Sequence, residues 1–152
     1  MWAFLFDTDL VLTWKCEERP LDDLVREAVA DRRAYAITDV DDEQWVRLVD
    51  VERALRARTY NAASGAVTID VTDPHLPAND GTWRIDATGA TRTDDPAQLR
   101  SGVAALSAAY LGGTSWYSLA ATGCVEVVDR AAVAVADALF ASRPLPFCGS
   151  FF

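Results

Sequence analysis

A chain of 152 residues holds one domain with a small appendage and is long enough to bury a real core. Its formal net charge of −9, from 23 acidic against 14 basic residues, argues against a nucleic-acid backbone or an anionic membrane as the main partner; it suits a cationic ligand or, more simply, solubility. Cys16, Cys124 and Cys148 are too few and too far apart for a disulfide framework or a CxxC metal site, so the expected setting is reduced and cytoplasmic, with no metal.

Residues 1–6 are apolar but lack the basic region of a signal peptide, and Asp7 and Asp9 cut them far short of a membrane span. They allow a helical turn or two. Leu10, Leu12, Trp14 and Cys16 then alternate with Val11, Thr13 and Lys15, which predicts a strand, one without neighbours and with an open edge. Residues 20–33 read as an amphipathic helix. Proline sits in its first turn with Asp22 and Asp23, Leu21, Leu24, Val25, Ala28 and Val29 share a face, and Arg32 and Arg33 close it. The acidic run Asp39, Asp41, Asp42 and Glu43 lacks the spacing and glycine of a calcium loop and reads as a solvated linker.

Residues 45–60 are predicted to open as a strand through Val46 and Leu48 and to switch at Asp50 to helical spacing through Val51, Ala54 and Leu55. Asp50 is the natural cap, Glu52 suits the positive end of the helix dipole, and Arg56 and Arg58 the negative end. Val67, Ile69 and Val71 mark one half-buried strand, and Trp83, Ile85 and Ala87 another. Residues 72–81 between them hold two prolines, His75 and an Asn-Asp-Gly turn, longer than a hairpin requires, which invites a functional reading. His75 is the only histidine; no Ser, Cys or carboxylate stands beside it in a recognisable motif, so a loop histidine is preferred to a catalytic base. A turn at Thr88-Gly89 leads to a short strand around residues 91–93. Three helices follow: residues 102–111, stopped by Gly112-Gly113; residues 115–122, carrying Trp116 and Leu119; and a third capped by Asp129 and ended before Pro144 and Pro146. The glycine pair closes a helix and does not open one after a strand, which excludes a P-loop. The order of elements describes an α+β layer with helices on one face of a curved sheet.

Trp-Val-Arg-Leu-Val-Asp-Val (45–51), Val-Thr-Ile-Asp-Val-Thr-Asp-Pro (67–74), Asn79, Gly81 and Trp83-Arg84 stand in a fixed order with Ala-Ala-Tyr-Leu-Gly-Gly (108–113), Asp137-Ala-Leu-Phe140 and a Pro-Phe-Cys tail that ends at Phe152. Together they resemble, over roughly residues 44–152, the C-terminal domain of the Eis-type (enhanced intracellular survival) N-acetyltransferases of the GNAT superfamily. That resemblance implies an α+β, sterol-carrier-protein-like curved mixed sheet with helices on one face, preceded by a short remnant of a GNAT-like lobe. Residues 1–16 would be the remnant of the central lobe, 17–43 a bridging helix and linker, and 44–152 the C-terminal domain.

The intact enzymes of this group move an acetyl group from acetyl-CoA to an amine, on aminoglycoside-like or lysine-like substrates. Their N-terminal lobe grips the cofactor through a Val-x-Pro-x-x-Arg-x-x-Gly loop, and that loop and the family's tyrosine acid are absent here. The expectation is a chain with no acetyl-CoA site of its own and no activity alone. It would wall the amine pocket and supply the terminal carboxylate of Phe152 as the base, with Phe151, Trp83 and Asn79 against the substrate. The partners implied are a small-molecule amine and a GNAT-containing N-terminal half, in a homo-oligomer when intact, with neither nucleic acid nor membrane. This chain departs from the family in its loop, Asp-Pro-His-Leu-Pro-Ala-Asn (73–79) where Asp-Pro-Phe-Cys-Pro-Trp-Asn is more usual, and in Phe151, which stands where an acidic residue is common. Two alternatives stay open: a free-standing sterol-carrier-like module that binds a small molecule or lipid without catalysis, and a tail that merely seals the core.

Overall fold

The computed structural model describes residues 2–42, 44–61 and 65–149. It divides into two compact units, one holding the chain up to Gln44 with the tail from Phe147, the other Trp45–Pro146.

The first unit has little regular structure. Helix α1 (Trp2–Phe6) is the expected short turn, with Trp2 stacked on Phe6 and the Arg19 guanidinium over the Trp2 ring. Helix α2 (Val25–Ala28) is a single turn, followed by a 3₁₀ turn at Arg32–Ala34 that starts where the Asp31 carboxylate accepts from the Arg33 amide. The helix expected over residues 20–33 therefore does not form. A helix this short is marginal unless it buries a face. Leu21 and Leu24 are exposed, and Val25 is the only buried residue among those described in this unit. The strand expected over residues 10–16 is also absent. Leu10 takes a left-handed φ of 63°, its amide donates to the Asp9 carboxylate, and Leu12 is fully exposed. Alternation specifies which face of a strand is apolar, but the strand itself exists only through pairing.

The second unit is organised around β1 (Val67–Thr72). It pairs antiparallel with β2 (Gly81–Asp86) and parallel with β4 (Leu99–Gly102); β3 (Gly89–Arg92) and β5 (Val125–Val127) close the order β3-β2-β1-β4-β5. Four helices accompany the sheet: α3 (Val51–Ala57), α4 (Val103–Tyr110), α5 (Trp116–Ala121) and α6 (Arg130–Phe140). Ile69 lies beside Trp83 on one side and Leu99 on the other, and Ile85 beside Val67 and Ala90, so one face of the sheet carries the apolar residues. Against it pack Val51, Leu55, Leu106, Trp116, Leu139 and Phe140 in a single cluster, with Phe140 edge-on to both Trp116 and Tyr60 at 5.2 and 5.3 Å. Each large side chain so buried contributes roughly 1.5–3 kcal/mol. The second unit has many of these and the first has one valine, which is why the second holds most of the regular structure.

Mixed pairing and helices on one face agree with the sequence reading, but the expected curvature does not. The sheet is not curled: it is an open ladder whose edge strands, β3 and β5, do not meet. Sheets are bent by bulges and glycine kinks. Here every ladder runs in unbroken register, from Val67↔Ile85 to Val71↔Gly81 and from Trp83↔Arg92 to Asp86↔Gly89. Two strands, β4 and β5, are additions, at four and three residues too short to show a period. The hairpin turn falls at residues 87–88, one residue earlier than expected.

The predicted strand at Val46 and Leu48 is an extended segment held by side chains. The Leu48 amide donates to Ser107 Oγ and the Val49 carbonyl accepts from Asn79, so no ladder is needed to satisfy it. Two helix caps stand where expected: Asp50 accepts from the Arg53 amide and Asp129 from Ala131; Ser115, which accepts from Ser118, is a third. No described helix is long and apolar enough to cross a membrane.

Candidate functional site

Residues 72–81 join β1 to β2, and their shape is set by a buried carboxylate. Asp73 Oδ1 accepts from the amides of His75 and Leu76 at 3.0 and 3.2 Å, the pattern by which an aspartate nucleates a turn. Arg47 Nη2 donates to both oxygens at 2.8 Å, and Asn79 Nδ2 donates to Oδ2 at 2.8 Å. Burial pushes this carboxyl up. The hydrogen bonds from Asn79, Arg47 and the amides of His75 and Leu76 outweigh that effect and hold it well below the usual carboxylate range. A carboxylate that is permanently ionised and accepts on all sides is a poor proton acceptor. Asp73 is a fastener.

Asn79 completes the fastening. Its Oδ1 accepts from the Val51 amide at 3.0 Å, and its second amide hydrogen goes to the Val49 carbonyl at 3.1 Å. The loop is thus locked to the first turn of α3, and both polar side-chain atoms of Asn79 have protein partners. At the far end, Asp80 Oδ1 accepts from the Asp73 amide, and Arg92 Nη2 donates to the Asp80 carbonyl while the guanidinium lies 5.7 Å from the Trp83 ring centroid. Gly81 has φ +150°, a backbone conformation that side chains disfavour, so this passage favours glycine, and a Cβ there would also displace the Arg92 guanidinium.

Trp83 is buried in β2 and its indole Nε1 has no partner among the described residues. Trp83 and Asn79 therefore stand at the root of the same loop, both directed into this chain. Phe151 and Phe152 lie outside the described residues. His75 is exposed, and its imidazole has no hydrogen-bond or ion partner among them. Arg47, which ties the loop to the segment before α3, was not among the site residues read from the sequence. The signal that could have found its partner is Asp73 itself, an aspartate two residues before a loop residue and six before an asparagine.

A shallow open groove of about 560 Å³ runs along α3, lined by Asp50, Glu52, Arg53, Arg56 and Ala57, with Arg56 paired to Glu52 at 2.9 Å. Charges of both signs line it, with Ala57 its apolar member. Among the described residues no group of three or more His, Cys, Asp or Glu side chains is placed to hold a metal ion. The described residues thus carry a riveted loop and a polar groove, and no nucleophile, base and orienting group assembled for chemistry.

The family model of the sterol carrier protein domain matches residues 51–149. Proteins named as uncharacterized N-acetyltransferases in Streptomyces avermitilis and Streptomyces coelicolor are each 42% identical to the chain over 151 residues, covering 97% of it. The chain spans 36% of the length of these curated relatives. Among solved structures, Eis1 from Mycobacterium abscessus matches over 99% of this chain and 39% of its own, with 40% identity and a TM-score of 0.91. A GCN5-related N-acetyltransferase from Kribbella flavida matches over 70% of this chain and 28% of its own, with 29% identity and a TM-score of 0.61. The chain belongs to the sterol carrier protein domain family and is homologous to the Eis-type GNAT N-acetyltransferases.

Proposed function

We propose that this chain is the C-terminal part of an Eis-like N-acetyltransferase that transfers acetyl from acetyl-CoA to an amine, on an aminoglycoside or a lysine-like side chain. The observation that carries this reading is the match to Eis1 over 99% of the chain at a TM-score of 0.91. In this reading the domain walls the amine pocket, works with a GNAT-containing N-terminal half in a cytoplasmic homo-oligomer, and delivers the main-chain carboxylate of Phe152 as the base. A free α-carboxyl has a pKa of about 3.3–3.7, and partial burial raises it toward a value useful for taking a proton from the attacking amine. Asn79 and Trp83 serve the amine pocket by setting the loop at its wall.

The described residues do not fit acetyl-CoA. A pyrophosphate is gripped by free amides at a helix start. Here those of α3, α5 and α6 are capped by Asp50, by Ser115 with Asp137, and by Asp129, while α4 carries no basic residue. In this reading the cofactor belongs to the N-terminal half. The free-standing lipid carrier gains no support from the α3 groove, which is charged where a lipid would need an apolar wall.

The test joins the chain to a GNAT-containing N-terminal half and compares the native end with one extended by a few residues. The extended enzyme should fold and bind acetyl-CoA yet lose most turnover. Full turnover with the carboxylate displaced refutes the role of Phe152.

A further inference from the structure

We propose that Trp45, Val46 and Val49, together with Leu76, form a protein-docking rim along the β1–β2 loop, and that its occupant is the GNAT-containing N-terminal half. This inference rests on the reading given above and names the surface by which the two halves meet.

Seven large apolar side chains are exposed among the described residues of the second unit, and these are four of them. Trp45 is 88% exposed and Val49 67%. Scattered singly, such residues need no explanation. These four stand on two segments that are bolted together. Arg47 donates to both oxygens of Asp73, Asp73 accepts from the Leu76 amide, and Asn79 holds the Val49 carbonyl. In an extended segment alternate side chains share a side. Trp45 and Val49 therefore flank Arg47 on the side from which it reaches the loop. The bolts fix the backbone of the rim and leave its apolar side chains in solvent.

The chemistry of the rim suits burial against protein. Residues 74–78 are all exposed, and none is a carboxylate or a guanidinium. The charges of Arg47 and Asp73 answer each other. A partner laid on the rim would strand no unpaired charge, and tryptophan is enriched in the cores of such interfaces. Because the loop is already fixed, ordering it on docking costs little. The other open surfaces differ. Charges of both signs line the α3 groove, and the sheet face turned away from the core sets Arg100 against Glu126 and Asp70 against Thr82, each pair hydrogen-bonded, so it is content in water. The choice of occupant follows from the length of the relatives and from the joint. The chain spans only 39% of Eis1, so the larger part of such a protein lies outside it. Trp45 is the first residue of the second unit, so a domain on its N-terminal side is tethered at the rim itself. Tethering gives an effective concentration on the order of millimolar, against which a second copy would have to compete from solution.

The test reads the rim by cysteine labelling, with Cys16, Cys124 and Cys148 replaced by serine. In the 152-residue chain, Val49→Cys and, on the exposed sheet face, Thr91→Cys should both react with a maleimide at the rate of a free thiol. In the enzyme joined to its GNAT half, the rate at Val49→Cys should fall about tenfold or more, because a buried interface core excludes reagent, while that at Thr91→Cys holds within about twofold. Adding Leu76→Glu to the joined enzyme should restore most of the lost rate, since a carboxylate at the rim disfavours burial. An unprotected Val49→Cys in the joined enzyme overturns the proposal, and so does equal protection at Thr91→Cys or a rate that Leu76→Glu leaves unchanged. Protection already present in the 152-residue chain, or one that grows with its concentration, shows the rim covered by this chain or by a second copy and overturns it too. None of these readouts uses turnover. If the joined enzyme fails to acetylate an amine, the acetyltransferase reading is what fails, and the labelling still decides the rim.

Discussion

Replacing Asn79 with alanine tests the idea that the β1–β2 loop is a fastener. The substitution removes three hydrogen bonds, and they are unequal. The Val51 amide sits in a fully buried residue and loses its Asn79 acceptor, at a cost of about 1–3 kcal/mol. The Val49 carbonyl belongs to an exposed residue and can turn to water, so its bond contributes only about 1 kcal/mol. The bond to Asp73 adds to the loss in the same direction. A total near 3 kcal/mol follows, which for a unit of this size lowers Tm by roughly 10–20 °C. Urea denaturation followed by far-UV circular dichroism measures it, and Asn79→Asp provides the control. That change places a second carboxylate beside Asp73, so it should be the more damaging of the two near neutral pH and should recover as the introduced group is protonated. A loss under about 1 kcal/mol for Asn79→Ala, or an Asn79→Asp variant insensitive to pH, would refute the fastener.

Three further outcomes are expected. Arg58→Met should cost about 2–4 kcal/mol in a urea titration, because the carbonyls ending α4 and α6 lose a shared donor, and Arg58→Lys should recover less than half, since an ammonium lacks the planar fork. Asp73 has its folded pKa depressed, so its contribution is complete above the unfolded value near 3.9 and is lost as pH falls through the folded value; Asp73→Asn should therefore flatten the decline of the urea midpoint below about pH 4. Calorimetry of the 152-residue chain with acetyl-CoA should show no micromolar binding, given the carboxylate-capped helix starts and the net charge of −9.

The parts legible in the sequence were those whose cause is local. Asp50 and Asp129 cap their helices because a cap acts on amides two or three residues away. Strands β1 and β2 showed their alternation over six residues each, while β4 and β5 gave no period to read. The misread elements were those that depend on a partner. Residues 10–16 and 20–33 carry the right patterns but have little to bury them against within their unit. The curvature was read from the order of elements as well as from the family resemblance; order does not encode bending, and the unbroken registers contradict it. At the loop, the motif marked Asn79 and Trp83 as important without saying why. The reason lies in Arg47, 26 residues before Asp73, and in Val49 and Val51, contacts that no spacing rule encodes.

The single parallel pair in the sheet also has a kinetic consequence. The β1 residues from Ile69 to Thr72 each meet a β4 residue 30 positions later, as Ile69 meets Leu99, and the chain between them contains the β2–β3 hairpin. Closing that span while its interior is unformed means ordering a long loop for a few slanted bonds; closing it around a finished hairpin leaves far less chain to immobilise. The hairpin is therefore expected to assemble first, from the turn where Asp86 accepts from the amide and hydroxyl of Thr88, with β4 docking late and bringing α4 with it. Weakening the Asp86–Thr88 turn slows refolding, whereas weakening β4 hastens unfolding, so the two halves of the sheet govern opposite limbs of the chevron.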